Sequence, residues 1–270
     1  MGKIATPIPM QEVVGHDLDV EAVLIYDQWG WPVFDNSYND LQQRFKDKIL
    51  IHDQVDSTKI FWSSNNSNIA GTYDGFQSVY QVFSLSKTLG LSGGGMANWN
   101  GKWLDVVLDQ NHQQIKGSLD EVQKGHGTQN SLLSTFLKSD VSAMPADVVK
   151  WLKDNDLVRA YYKEKKDRLL NITAIIKSGL TKDWPVWFMS AVNEGNAPGI
   201  VPLFIDQGTN KLAQLQEELM QKLKIETMIY HFDFNGNPLM PDYRKCIALP
   251  IHGMINNMDT IVSTLLNIQK

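Results

Sequence analysis

Gly90, Leu91, Ser92, Gly93, Gly94 and Gly95 spell G-x-S-x-G, the turn in which a hydrolase serine is exposed between a strand and a helix. That chemistry needs a buried strand before the serine and a helix after it. Residues 84–89 make a poor strand, and 98–101 lead into a hairpin, so a flexible glycine loop is the better account. A loop that wraps phosphate would carry G-x-x-x-x-G-K-[ST], and this run does not.

His231 and Asp233 form an H-x-D pair whose side chains share one face of a strand, with His252 as the downstream histidine of a facial metal triad. Alternating polar residues are equally the mark of a half-solvated strand. Asp233, Asn235 and Asn237 offer calcium-type oxygens, but Gly236 falls one place after Asn235 and no closing glutamate follows, so a hairpin turn explains them. The pairs His16–Asp17 and His52–Asp53 lack the further ligands of a phosphohydrolase metal cluster. The sequence therefore calls for no metal and no cofactor.

A looser constellation remains. Glu194 follows the segment 184–192, Asp206 ends the apolar run 201–205, and His126 stands between Gly125 and Gly127. Functional groups collect where elements end. Of eight tryptophans several sit beside Asn, Gly or Pro, and Trp29, Trp31, Trp99 and Trp103 are the rings that could stack on a sugar or aromatic ligand. Paired carboxylates beside such a platform are the equipment of a glycosidase. The first expectation is thus a soluble hydrolase acting on a glycan or cell-envelope substrate, with Glu194, Asp206 and His126 as acid–base groups and the four tryptophans binding the ligand. A plainer reading makes the carboxylates caps, His126 a polar loop group and the tryptophans core. The alternative is a non-enzymatic binding or interaction protein, an effector or toxin among them, whose exposed tryptophans meet a protein partner.

Charge narrows the partners. With 30 acidic against 25 basic residues in 270, the net charge of -5 argues against nucleic acid. The densest basic run, 163–168, alternates with acids and reads as a solvated helix face. Cys246 is the sole cysteine, so no intramolecular disulfide forms. No apolar stretch reaches the roughly 18 residues of a membrane span, and the N-terminus lacks the apolar core of a signal peptide. A cytoplasmic location is expected, export without a cleavable signal being compatible with the same residues. Met1, Gly2 and Thr6 match the spacing of a myristoylation signal, a pattern short enough to arise by chance.

The elements that must position these groups read as follows. Residues 21–27, broken at 29–32 and resumed at 33–34, suggest a hairpin, and 38–50 a helix on Leu41, Phe45, Ile49 and Leu50. Residues 59–62 and 69–73 suggest short strands, 77–89 a helix, and Asn100–Gly101 a tight hairpin turn. Ser118 with Glu121 fits a capping box, and 128–137, 145–151, 156–177, 183–192 and 209–224 have helical spacing. Strands follow at 201–205 and 245–251, with a hairpin over 226–240 and a last helix at 256–268. These imply an α+β fold, its mostly antiparallel sheet built from the N- and C-terminal hairpins with the helical segment in the middle. One domain of two lobes is expected, β-rich over 1–116 and 225–270 and helical over 117–224.

Overall fold

The structure, a computed structural model, describes residues 20–32, 41, 43–58, 76–103, 144–204, 208–237, 241–255 and 257–269. Strands β1 (Ala22–Tyr26), β2 (Ile49–Asp53) and β3 (Ser78–Ser84) lie side by side and run parallel. Strands β4 (Gly95–Trp99) and β5 (Lys102–Trp103) extend the sheet antiparallel, in the order β1-β2-β3-β4-β5. Alternation sorts the faces: Val23, Ile25, Leu50 and Val79 pack with Leu41 and Phe45, which a helical turn in the β1–β2 crossover supplies. Between β4 and β5, Asn100 and Gly101 both have positive φ, 47° and 82°, as a primed two-residue turn requires.

β3 runs directly into the short helix α1 (Leu85–Leu89). Ser84 caps it, its Oγ accepting from the Lys87 N–H at 3.2 Å, and Gly90 ends it in the left-handed conformation.

Helices α2 (Ala146–Asp154), α3 (Leu157–Lys177) and α4 (Val186–Asn193) follow. Then come β6 (Ile200–Leu203), α5 (Gly208–Leu223), β7 (Met228–Asp233), β8 (Tyr243–Pro250) and α6 (Met258–Gln269). The three late strands form a second, antiparallel sheet in the order β6-β8-β7. The largest core lies on it, joining Ile172 and Ile175 of α3, Phe188 of α4, Leu215 and Leu219 of α5 and Leu265 of α6 to Val201, Phe232 and Ile247. No helix among the described residues is long and apolar enough to cross a membrane.

The fold class expected from the sequence is corrected on this point. The terminal segments do not share one antiparallel sheet. Among the described residues there are two separate sheets, the first opens with three parallel strands, and helix is found beside both. The cause lies at 27–32. These residues contain a 3-10 turn (Gln28–Gly30), and the return strand expected at 33–34 lies outside the described residues. Trp31 is buried edge-on against Trp184, Trp187 and Phe188, and its Nε1 donates to the Ile200 carbonyl at 2.9 Å. Gly199 N–H donates to the Trp29 carbonyl at 2.8 Å. Burial of two indoles in the second core carries the chain away from β1, so β2 returns parallel, as a crossover must. Two further expectations shift accordingly. Ile49 and Leu50 belong to β2 rather than to a helix, and 77–89 divides into β3 and α1.

Candidate ligand site at the strand ends

The three parallel strands each end on polar residues at the same edge of the sheet: Tyr26 and Asp27 after β1, Asp53 to Asp56 after β2, and Ser84, Ser86 and Lys87 after β3. This edge, outside the carboxyl ends of parallel strands, is where open α/β sheets bind ligands.

Asp56 is its centre. Lys87 Nζ lies 3.6 Å from Asp56 Oδ2, the lysine side chain 54% exposed and the carboxylate 16%. The Tyr26 hydroxyl donates to the same oxygen and itself accepts the Trp29 N–H at 3.1 Å. Burial first, then the bond to Asp56, pushes the Tyr26 phenol far above its ordinary value, so it remains a donor. Asp53 shapes the turn: its Oδ1 accepts the Val55 N–H at 3.1 Å, and Ser57 N–H closes on the Gln54 carbonyl at 2.9 Å. The Ser84 and Ser86 hydroxyls lie 3.0 Å apart beside the lysine. The arrangement supplies an accessible amine, a carboxylate placed to take its proton, and hydroxyls for further polar contacts.

Beneath this edge is a buried polar row on the face that carries Val23 and Leu50. His52 Nε2 meets Asp27 Oδ1 at 2.8 Å, Gln54 Nε2 donates to Asp27 Oδ2 at 3.1 Å, and Gln81 Nε2 donates to Gln54 Oε1 at 3.1 Å. All four side chains are buried. His52 thus pairs with Asp27 and not with its neighbour Asp53, because consecutive strand residues face opposite ways.

The residues singled out from sequence fall elsewhere. Glu194 is an exposed residue at the C-terminal end of α4, its N–H bonded to the Ser190 carbonyl. Asp206 and His126 lie outside the described residues. Trp29 and Trp31 are buried, Trp103 is partly buried beside Phe83, and Trp99, 43% exposed, stacks on Tyr80. Ser92 donates to Asp147 Oδ2 at 2.5 Å. Asp233 accepts the Asn235 and Asp242 N–H groups at 3.0 and 2.9 Å and serves a turn. Among the described residues no group of three His, Cys, Asp or Glu side chains could hold a metal ion. Cys246 is buried, and burial pushes its thiol up to about 12, which makes it inert. The run 163–168 is not wholly a solvated face: Arg168 is buried.

Lys87, Asp56 and Tyr26 went unread in the sequence. Their signal is a repeated one: VLIYD and LIHD each close an apolar run on aspartate, and the run before Lys87 closes on Ser-Leu-Ser. Compared with known proteins, the sequence matches no protein family and no curated protein.

Proposed function

We propose that this chain binds a carbonyl-bearing small molecule at the edge of β1–β3, with Lys87 as the amine that condenses with it. The observation that carries the reading is the chain of contacts Tyr26–Asp56–Lys87 at the ends of three adjacent strands. A lysine amine is a nucleophile toward carbonyl carbon once it has lost its proton. Asp56 is the base within reach. The amine nitrogen bonds to the carbonyl carbon, both amine hydrogens pass to the carbonyl oxygen, and water leaves, so that an imine joins ligand to protein. Tyr26 holds Asp56 in place as donor. Pyridoxal phosphate, an aldehyde that forms an imine with a protein lysine, is a direct probe of such an amine.

The test is reduction. The protein is incubated with pyridoxal phosphate, treated with borohydride, and the reduced adduct is located by mass spectrometry. Labelling that saturates at Lys87 and vanishes in Lys87→Ala is expected, with Asp56→Asn slowing it by about 10²-fold. Label spread over surface lysines without saturation would exclude the reading.

A second reading, a contact surface, is favoured by one observation. Leu24, Ile51, Tyr80 and Trp99 form a register-matched row across the other face of the first sheet, with Leu24 58% and Trp99 43% exposed. If copies of the chain meet through this row, Leu24→Lys with Trp99→Ser lowers the sedimentation coefficient. A value unchanged from a monomeric wild type removes self-association.

A further inference from the structure

Arg168 sits in the middle of α3 and is 1% exposed, so its charge is taken wholly out of water. Such a group is retained only where its donors are satisfied. Its Nε donates to Glu164 Oε1 at 2.7 Å, its Nη1 to the carbonyls of Asp56 at 2.9 Å and Ala197 at 3.4 Å, and its Nη2 to the carbonyl of Thr88 at 3.4 Å. The three carbonyls belong to three separate segments. One carries Asp56 itself, and another is the residue next to Lys87. Thr88 Oγ1 adds a bond to the Val55 carbonyl at 3.3 Å, which ties the same two segments together. Glu164, which orients the guanidinium, also accepts the Gly253 N–H at 3.1 Å, beyond the end of β8.

We infer that Arg168 is a positioning residue for the Lys87 site, fixing the separation of Lys87 from Asp56 by holding both of their backbones from one planar fork. This rests on the reading of Lys87 as the reactive amine. The fork is what matters. A guanidinium presents donors in fixed directions to several acceptors at once, and an ammonium in the same place meets them only one at a time. The charge alone does not supply the placement.

The test follows the reactivity of Lys87 itself, so that it does not depend on any ligand. Trace acetylation by acetic anhydride is quantified at Lys87 by mass spectrometry as a function of pH, in the wild type, Arg168→Lys, Asp56→Asn and the double variant. Arg168→Lys is expected to lower the pH profile of Lys87 acylation by about half a unit or more, as Asp56→Asn does, since the first displaces the Asp56 carboxylate from the amine and the second removes its charge. The double variant is expected to show no further displacement, because the arginine acts through Asp56. A profile for folded Arg168→Lys that superimposes on the wild type, or full additivity in the double variant, would overturn the inference. Should Arg168→Lys fail to fold, Glu164→Gln, which leaves the guanidinium but weakens its anchor, is read by the same two criteria. If these profiles shift as expected while pyridoxal phosphate leaves no adduct, the carbonyl reading fails and the positioning role of Arg168 stands.

Discussion

Polar side chains in the interior of a sheet are stable only as members of a connected set, and the Asp27 carboxylate belongs to one. One oxygen faces His52 and the other faces Gln54, which Gln81 orients in turn. Removing one donor costs more than the bond itself, because the carboxylate stays buried. His52→Ala is therefore expected to lower stability by about 2–3 kcal/mol, the range for losing a hydrogen bond to a buried charge. Gln81→Ala removes a neutral donor one step further away and is expected to cost about 1 kcal/mol. Urea denaturation of the three proteins checks the order. Equal midpoints for His52→Ala and wild type would mean that the row contributes nothing to folding.

Elements position these residues through one tight approach. The 3-10 turn after β1 places Trp29 and Gly30 at φ 57° and 87°, and a Cβ on Gly30 would stand 2.6 Å from the Asp56 carbonyl oxygen. Gly30→Ala must displace the loop that carries Asp56. A loss of about 1–3 kcal/mol is expected from the strained backbone, together with slower adduct formation at Lys87. Asp156→Ala gives the contrast. Its carboxylate accepts the Arg159 N–H at 3.0 Å and caps α3, far along the chain from the strand ends. It should cost about 1 kcal/mol and leave Lys87 reactivity unchanged. Parallel labelling of the two variants separates a general loss of stability from a local displacement of Asp56. The same turn explains what was legible in the sequence. Helices α3 and α5 carry long apolar stripes and clear starts, and the Asn100–Gly101 turn carries its own backbone requirement, so local chemistry decides each of them. The break at Trp29–Trp31 looked like hairpin chemistry because its Gly and Pro are turn residues. What decides it is burial against Trp184 and Phe188, more than 150 residues further on. With Ile49 and Leu50 read as the end of a helix and 51–53 assigned to no element, Asp53 and Asp56 have no strand to end, and the site has no edge. Lys87 is hidden for a related reason: 77–89 has apolar residues at both periods, and only pairing with β2 settles Ser78–Ser84 as a strand.

At the scale of the whole molecule, the buried ionisable groups confine stability to a window of pH. Burial pushes the Tyr161 phenol from 10.0 up to about 12 and the Cys246 thiol from 9.0 up to about 12, and it raises Tyr26 further still. Below their ordinary values these groups are protonated in both the folded and unfolded chain, and they make no difference to stability. Above those values the unfolded chain releases protons that the folded chain retains, which favours unfolding. Stability should therefore decline as pH rises from 9.0 through about 12. At the other end, burial lowers His252 from 6.5, with Arg168 acting in the same direction and Glu164 against it. Below 6.5 the unfolded chain takes up a proton that the folded chain resists, so stability declines there as well. Urea midpoints measured from acid to alkaline pH should show a plateau between these limbs. Tyr161→Phe and Cys246→Ala each remove one titration from the alkaline limb without adding a charge, so each should flatten it relative to its own plateau. An alkaline limb of unchanged slope in both variants would place its origin in other groups. Tyr161 also reaches the Ser84 carbonyl, where α1 begins. Any loosening at Lys87 in Tyr161→Phe would therefore show that the alkaline limb and the ligand site share a support.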